Sequence, residues 1–174
     1  MKKLVHLFIL VFLFVLFSKP VFAESSYVLP YPSSMPGGLA YKFHLIYNAI
    51  SKYWYFGDFG QFDYNLKMAD KYLVEAKTLF EYKQYLLADR ALKKSDSYFI
   101  KIRDSLIKAK NKNRNVVDKM LVLKEASEKH IEVLKKMDLD LPDTFIWTPE
   151  KSAPTTLNLQ KIFGNSILLR EKNL

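Results

Sequence analysis

The sequence predicts an all-α protein, an antiparallel bundle of three to four main helices with a Pro-containing lead-in and an irregular C-terminal tail. Three observations carry the prediction. From Asn65 to Ala109, apolar or small residues recur at spacings of three and four in two runs that flank a short polar connection. A third run with the same period follows from Val116 to Met137. No segment alternates apolar and polar residues over a useful strand length. The expected divisions are 1–23 as a signal peptide, 24–38 as an extended lead-in, 39–141 as the bundle and 142–174 as the tail, with a short helix within it.

Lys2 and Lys3 precede the apolar run Leu4 to Phe17, which only His6 interrupts; Lys19-Pro20 and Val21-Phe22-Ala23 follow. A basic start, an apolar centre and a small-residue end read as a secretory signal cleaved after Ala23. The run is shorter than the roughly 20 residues a membrane span needs, because Lys19 and Pro20 interrupt it. Export by the general secretory route places the mature chain in the periplasm, at the envelope or outside the cell. The lead-in, with Pro30, Pro32, Pro36 and the pair Gly37-Gly38, excludes a helix, and Tyr27, Leu29 and Tyr31 are expected to lie across the bundle.

A first mature helix is expected from Leu39 to about Tyr55, burying Phe43, Ile46, Ile50 and Tyr53 or Trp54 and ending at Gly57. Residues 53–62 form the densest aromatic cluster in the chain. Tyr53, Trp54, Tyr55 and Phe59 suit either a stacking platform for a ligand or a plug for the end of the bundle. The plug is favoured because Gly57 and Gly60 mark a tight connection. The central hairpin follows. Its first arm carries Leu66, Ala69, Leu73, Ala76 and Phe80; its second carries Leu87, Ala91, Ser95, Tyr98, Ile102, Leu106 and Ala109. They are joined at Tyr82-Lys83-Gln84-Tyr85 without Gly or Pro. Neither arm is stable alone, so both stripes need a partner.

From Lys108 to Asn115 the chain holds Lys108, Lys110, Lys112, Arg114 and three Asn, either a solvated loop or an exposed turn of one very long helix. A further helix then uses Val116, Met120, Leu123, Ser127, Ile131, Leu134 and Met137. Asp143 to Thr156, with Pro149 and Pro154, reads as irregular. The final stretch, Leu157 to Leu169, reads as a short helix weakened by Gly164 and without a strong cap.

The 174 residues are 49% hydrophobic and 26% charged, values of a globular chain. No Cys occurs, which removes disulfides, thiol catalysis and attachment of lipid to an N-terminal Cys. The formal charge of +9 falls to +6 when the three lysines before Glu24 are removed. For an exported chain the matching polyanions are membrane headgroups and wall polymers rather than nucleic acid. Lys and Arg interleaved with Asp and Glu also serve solubility alone.

The mature chain holds two His, His44 and His130, with no HExxH pattern and no His pair four residues apart, so no metal site is expected. His130, with Glu128 and Glu132 near it in sequence, could be a general base; without a nucleophile or Gly-rich loop to work with, it reads as a helix-flank His with an ordinary partner. No nucleophile elbow, phosphate loop or dinucleotide fingerprint is present, so neither an enzyme nor a cofactor is expected.

Leu29-Pro30, Tyr41-Lys42 entering a helix, an Ala-rich hairpin and the run Lys129-His130-Ile131-Glu132-Val133-Leu134 before a Pro together resemble a family of exported bacterial helical domains of unknown function. The likeness spans roughly residues 27–142 and implies export and a helical fold, with no catalytic residues to carry over. Ala76-x-x-x-Phe80 with Tyr85-x-x-Ala88-x-x-Ala91-Leu92 resembles one tetratricopeptide helix pair, which implies protein binding, though such arrays need several repeats. The expected function is a non-enzymatic protein-interaction or structural module of the cell envelope, with another envelope protein as partner. The alternative is a peripheral binder of anionic lipid or wall polymer through Lys108, Lys110, Lys112 and Arg114.

Overall fold

The computed structural model describes residues 26–174, and the signal peptide expected over Met1–Ala23 lies outside the described residues. After the lead-in come α1 (Leu39–Ser51), a 3-10 turn (Lys52–Trp54), α2 (Gly57–Glu81), α3 (Tyr85–Asn111), α4 (Val117–Asp140), the strands β1 (Thr144–Trp147) and β2 (Thr155–Asn158), and α5 (Leu159–Glu171). The fold is an antiparallel helical bundle made by α2 to α5. Its first-arm stripe is buried throughout, from Leu66 to Phe80, and so are Ala91, Ser95, Ile102, Leu106 and Ala109 of the second. The core falls into two halves. One gathers Leu73, Phe80, Leu92, Leu134, Leu159 and Phe163; the other gathers Phe62, Leu66, Phe99, Ile102, Leu123 and Ala126. Read along each helix, the order of the halves alternates from α2 to α5, which gives up-down-up-down packing.

The turns joining α2 to α3 and α3 to α4 are both made by residues in the left-handed region. Lys83 has φ 59° and Asn113 has φ 56°. After α2, the Gln84 N–H donates to the Leu79 carbonyl at 2.8 Å and the Lys83 N–H to that of Phe80 at 2.9 Å. After α3, the Arg114 N–H donates to Ala109 at 3.1 Å and the Asn113 N–H to Lys110 at 2.9 Å. Each is a Schellman closure, which ties off the last carbonyls of the helix and reverses the chain. The basic run is therefore the last turn of α3 plus a tight turn, and not part of one very long helix.

Several expectations are corrected. α2 starts at Gly57, which is left-handed (φ 70°), so residues 57–62 are its first turns and not a connection. A Cβ on Gly60 would stand 2.7 Å from the Tyr55 carbonyl carbon, which explains the glycine there. Residues 144–147 pair antiparallel with 155–158, Phe145 opposite Leu157, where irregular chain was expected. α5 has a cap: the Asn158 side chain accepts from the Lys161 N–H at 2.8 Å. It also docks on the bundle. Leu159 and Phe163 are buried, the Phe163 ring 5.0 Å from that of Phe80, so the tail supplies the fourth wall of the bundle.

The largest correction concerns α1. Its expected buried residues Phe43, Ile46, Ile50, Tyr53 and Trp54 are all exposed, from 50 to 76%. The side facing the bundle is instead the row Tyr41, Leu45, Asn48 and Ser51, spaced four, three and three. α1 thus lies outside the four-helix core.

Candidate functional site

Between the two halves of the core, α2, α3, α4 and α5 each contribute polar side chains to one buried network. His130 Nε2 lies 2.7 Å from Asp70 Oδ1, and its Nδ1 accepts from Arg170 Nε at 3.0 Å. Because a guanidinium can only donate, Nδ1 is unprotonated and Nε2–H donates to Asp70. The same guanidinium bonds Asp96 at 2.7 Å, the Ser166 carbonyl at 2.9 Å and Ser95 Oγ at 3.0 Å, and it stacks on Phe99 at 4.9 Å. From the lead-in, the Tyr27 hydroxyl donates to Asp70 Oδ2 at 2.7 Å. His130 and Arg170 are both 0% exposed.

Burial pushes the His130 imidazole below its ordinary range, the Asp70 hydrogen bond opposing, while burial and the Asp70 charge push the Tyr27 hydroxyl up. The partner of His130 is thus Asp70, sixty residues away, and not Glu128 or Glu132. Both ring nitrogens are occupied, so neither nitrogen of His130 is open to solvent. Sequence spacing could not reveal this network, because Asp70 and Arg170 sit on apolar faces with nothing to mark them as partners. Among the described residues, no three His, Asp or Glu side chains converge as a metal would require.

The outer surface is different. α1 rests on a row of tyrosines from α2 and α3, held by side-chain tips. The Tyr41 hydroxyl donates to Glu75 Oε1 at 2.9 Å and the Tyr64 hydroxyl to the Asn48 carbonyl at 2.9 Å. Gln61 Nε2 donates to the Tyr55 carbonyl at 2.6 Å. Under this contact Tyr72 and Tyr98 stack at 5.8 Å, and Lys94 and Lys101 lie over their rings at 5.0 and 4.9 Å. Burial raises the Tyr72 hydroxyl to about 12 and also raises the Glu75 carboxyl, whose second oxygen has no partner. Above, Leu39, Phe43, Ile46, Tyr47 and Ile50 form one apolar stripe open to solvent.

The two groups singled out in the sequence meet at one end of the bundle. Lys112 Nζ pairs with Asp58 at 2.7 Å, holding that carboxyl below the usual carboxylate range, and Arg114 lies 5.6 Å over the Phe59 ring. Lys52 and Lys108 line one cleft with Asp58, Tyr98, Lys101 and Asp104. The aromatic cluster divides its labour: Phe62 is in the core with Phe59 packed on it, Tyr55 packs on Tyr64 at 5.5 Å, and Tyr53, Trp54 and Phe56 stand in solvent. The plug is thus made by Phe59 and Phe62, while Tyr53 and Trp54 take no part in it. Lys108, Lys110 and Arg114 remain exposed while Lys112 is engaged.

A groove of about 700 Å³ also runs between the lead-in, α2 and α4, with Phe80, Val133 and Met137 among its lining and Lys77, Lys136, Glu81 and Asp140 among its polar residues. That mixture of signs selects no ligand class. Among the described residues, no helix is long and apolar enough to cross a membrane. No family model, curated protein or solved structure matches the chain.

Proposed function

We propose that this chain is an exported, non-enzymatic module of the cell envelope that acts by binding, and that its contact surface is the outward face of α1 with the aromatic and basic end of the bundle beside it. The outward stripe Leu39, Phe43, Ile46, Tyr47 and Ile50 carries this reading. A contiguous apolar strip on an otherwise well-filled bundle marks an interaction surface. The non-enzymatic part rests on the buried network, whose imidazole and guanidinium are spent on joining helices. Export rests on the residues of Met1–Ala23, and cleavage should leave Glu24 as the N-terminus, which mass spectrometry of the envelope or secreted fraction would read.

Envelope fractionation tests the binding surface. The wild type should sediment with the envelope, whereas a Phe43→Ser, Ile46→Ser, Ile50→Ser variant with unchanged helicity should be released. A variant retained as well as the wild type would show that the surface lies elsewhere, the exposed Lys108, Lys110 and Arg114 being the next region to alter.

A further inference from the structure

We infer that the partner of the α1 face is the surface of an anionic lipid bilayer, on which α1 lies flat with its apolar stripe among the upper acyl chains; this rests on the binding role of α1 given above. The argument begins with charge. Between Ser26 and Gly57 there is no Asp or Glu, and α1 and its 3-10 turn carry only Lys42, His44 and Lys52 as titratable groups besides tyrosines. On a helical wheel the stripe spans an arc of about 100°, and Lys42 and His44 fall on its two shoulders.

The neighbouring elements keep this sign. Lys67, Lys94 and Lys101 lie over the tyrosines beneath α1. Of the acids near it, Glu75 is buried under the Tyr41 hydroxyl and Asp58 is held by Lys112, leaving Asp104 in the cleft beside Lys52. A second copy of the chain would bring this acid-free face against itself, lysines opposed. A protein partner would need an acidic rim around an apolar groove. An anionic bilayer supplies both layers at the required depths.

Side-chain chemistry agrees. Phe43, Ile46 and Ile50 are wholly apolar, whereas Tyr47, Tyr53 and Trp54 carry one polar atom on a large apolar body, the type enriched where acyl chains meet headgroups. Tyr47 and Trp54 lie 6.5 Å apart. α1 is also free to make the contact, since it is fastened to the bundle by the tips of Tyr41 and Tyr64 and carries no part of either core half.

Cleavage after Ala23 would leave Glu24 as the first residue, so the chain from Glu24 is the molecule to test. The chain has two tryptophans, and Trp147→Phe leaves Trp54 as the sole reporter. Mixed with phosphatidylcholine vesicles containing phosphatidylglycerol, this protein should co-sediment and its emission should shift to the blue; with phosphatidylcholine alone both effects should be at least about tenfold weaker at low salt. The triple Ser variant should lose binding with its circular dichroism unchanged. Lys42→Glu with Lys52→Glu should abolish the preference for phosphatidylglycerol.

Equal binding to both vesicle types, or an undiminished preference in the double Glu variant, overturns the inference. So does the absence of binding to anionic vesicles. If the triple Ser variant is nevertheless released from the envelope, the α1 face binds a protein or a second copy, and the binding role stands without the lipid. If the variant is not released, that role falls as well.

Discussion

At the scale of single residues, Arg170 governs the interior. A guanidinium with no exposure is held because it meets Asp96, Ser95, the Ser166 carbonyl and His130 at once, and removing one partner of such a set costs more than the set contributes. Arg170→Ala should destabilise the protein by about 3–5 kcal/mol in urea unfolding. Arg170→Lys should recover little, because one ammonium cannot reproduce the fork. His130 gives the interior a pH dependence. Its folded pKa lies below the unfolded value of about 6.5, so above that pH neither state takes up the proton. As pH falls through it the unfolded chain is protonated first, and stability drops. Glu75, raised by burial, acts in the opposite sense. The loss between pH 7.5 and pH 5.5 should therefore be read as the difference between wild type and His130→Gln, and an equal slope in both would refute it.

At the scale of elements, the two reversals explain how the hairpin closes without Gly or Pro. A non-glycine in the left-handed region costs about 1–2 kcal/mol, while glycine gives back part of this through its looser unfolded chain. Lys83→Gly should on balance raise stability by about 0.5–1 kcal/mol, and a lower thermal midpoint would contradict it. Leu73, fully buried in the seam, should cost about 2–5 kcal/mol when changed to Ala. The stripes of α2, α3 and α4 were legible because packing selects the 3.6-residue period directly. α1 was misread because periodicity says that a face exists and not which way it turns; the tyrosine and asparagine tips that seat it carry no apolar signal. The short helix of the tail was expected but its cap was missed, because a helix begun at Leu157 hides Asn158, the cap that fixes its start at Leu159.

At the scale of the whole molecule, the proposed contact surface stands apart from the core. The bundle from α2 to α5 carries both core halves, while α1 is seated on its outside. Replacing the outward α1 residues by Ser should move the thermal midpoint by less than about 2 °C, because exposed positions contribute little to stability; a large drop would show that α1 belongs to the core. The fold class could be read from the sequence, and so could the residues gathered at the aromatic and basic end. Their meeting could not, since Asp58 and Lys112 are brought together only by the length of the hairpin.

The place of Arg170 bears on the order in which the chain becomes itself. A polypeptide that emerges N-terminus first can pair Asp70 with Tyr27 and His130 early, but Asp96 and the second nitrogen of His130 wait for the guanidinium of Arg170. Only with residue 170 in place are all of these polar groups satisfied. The last helix to be made is therefore the one that completes the polar seam joining the other three.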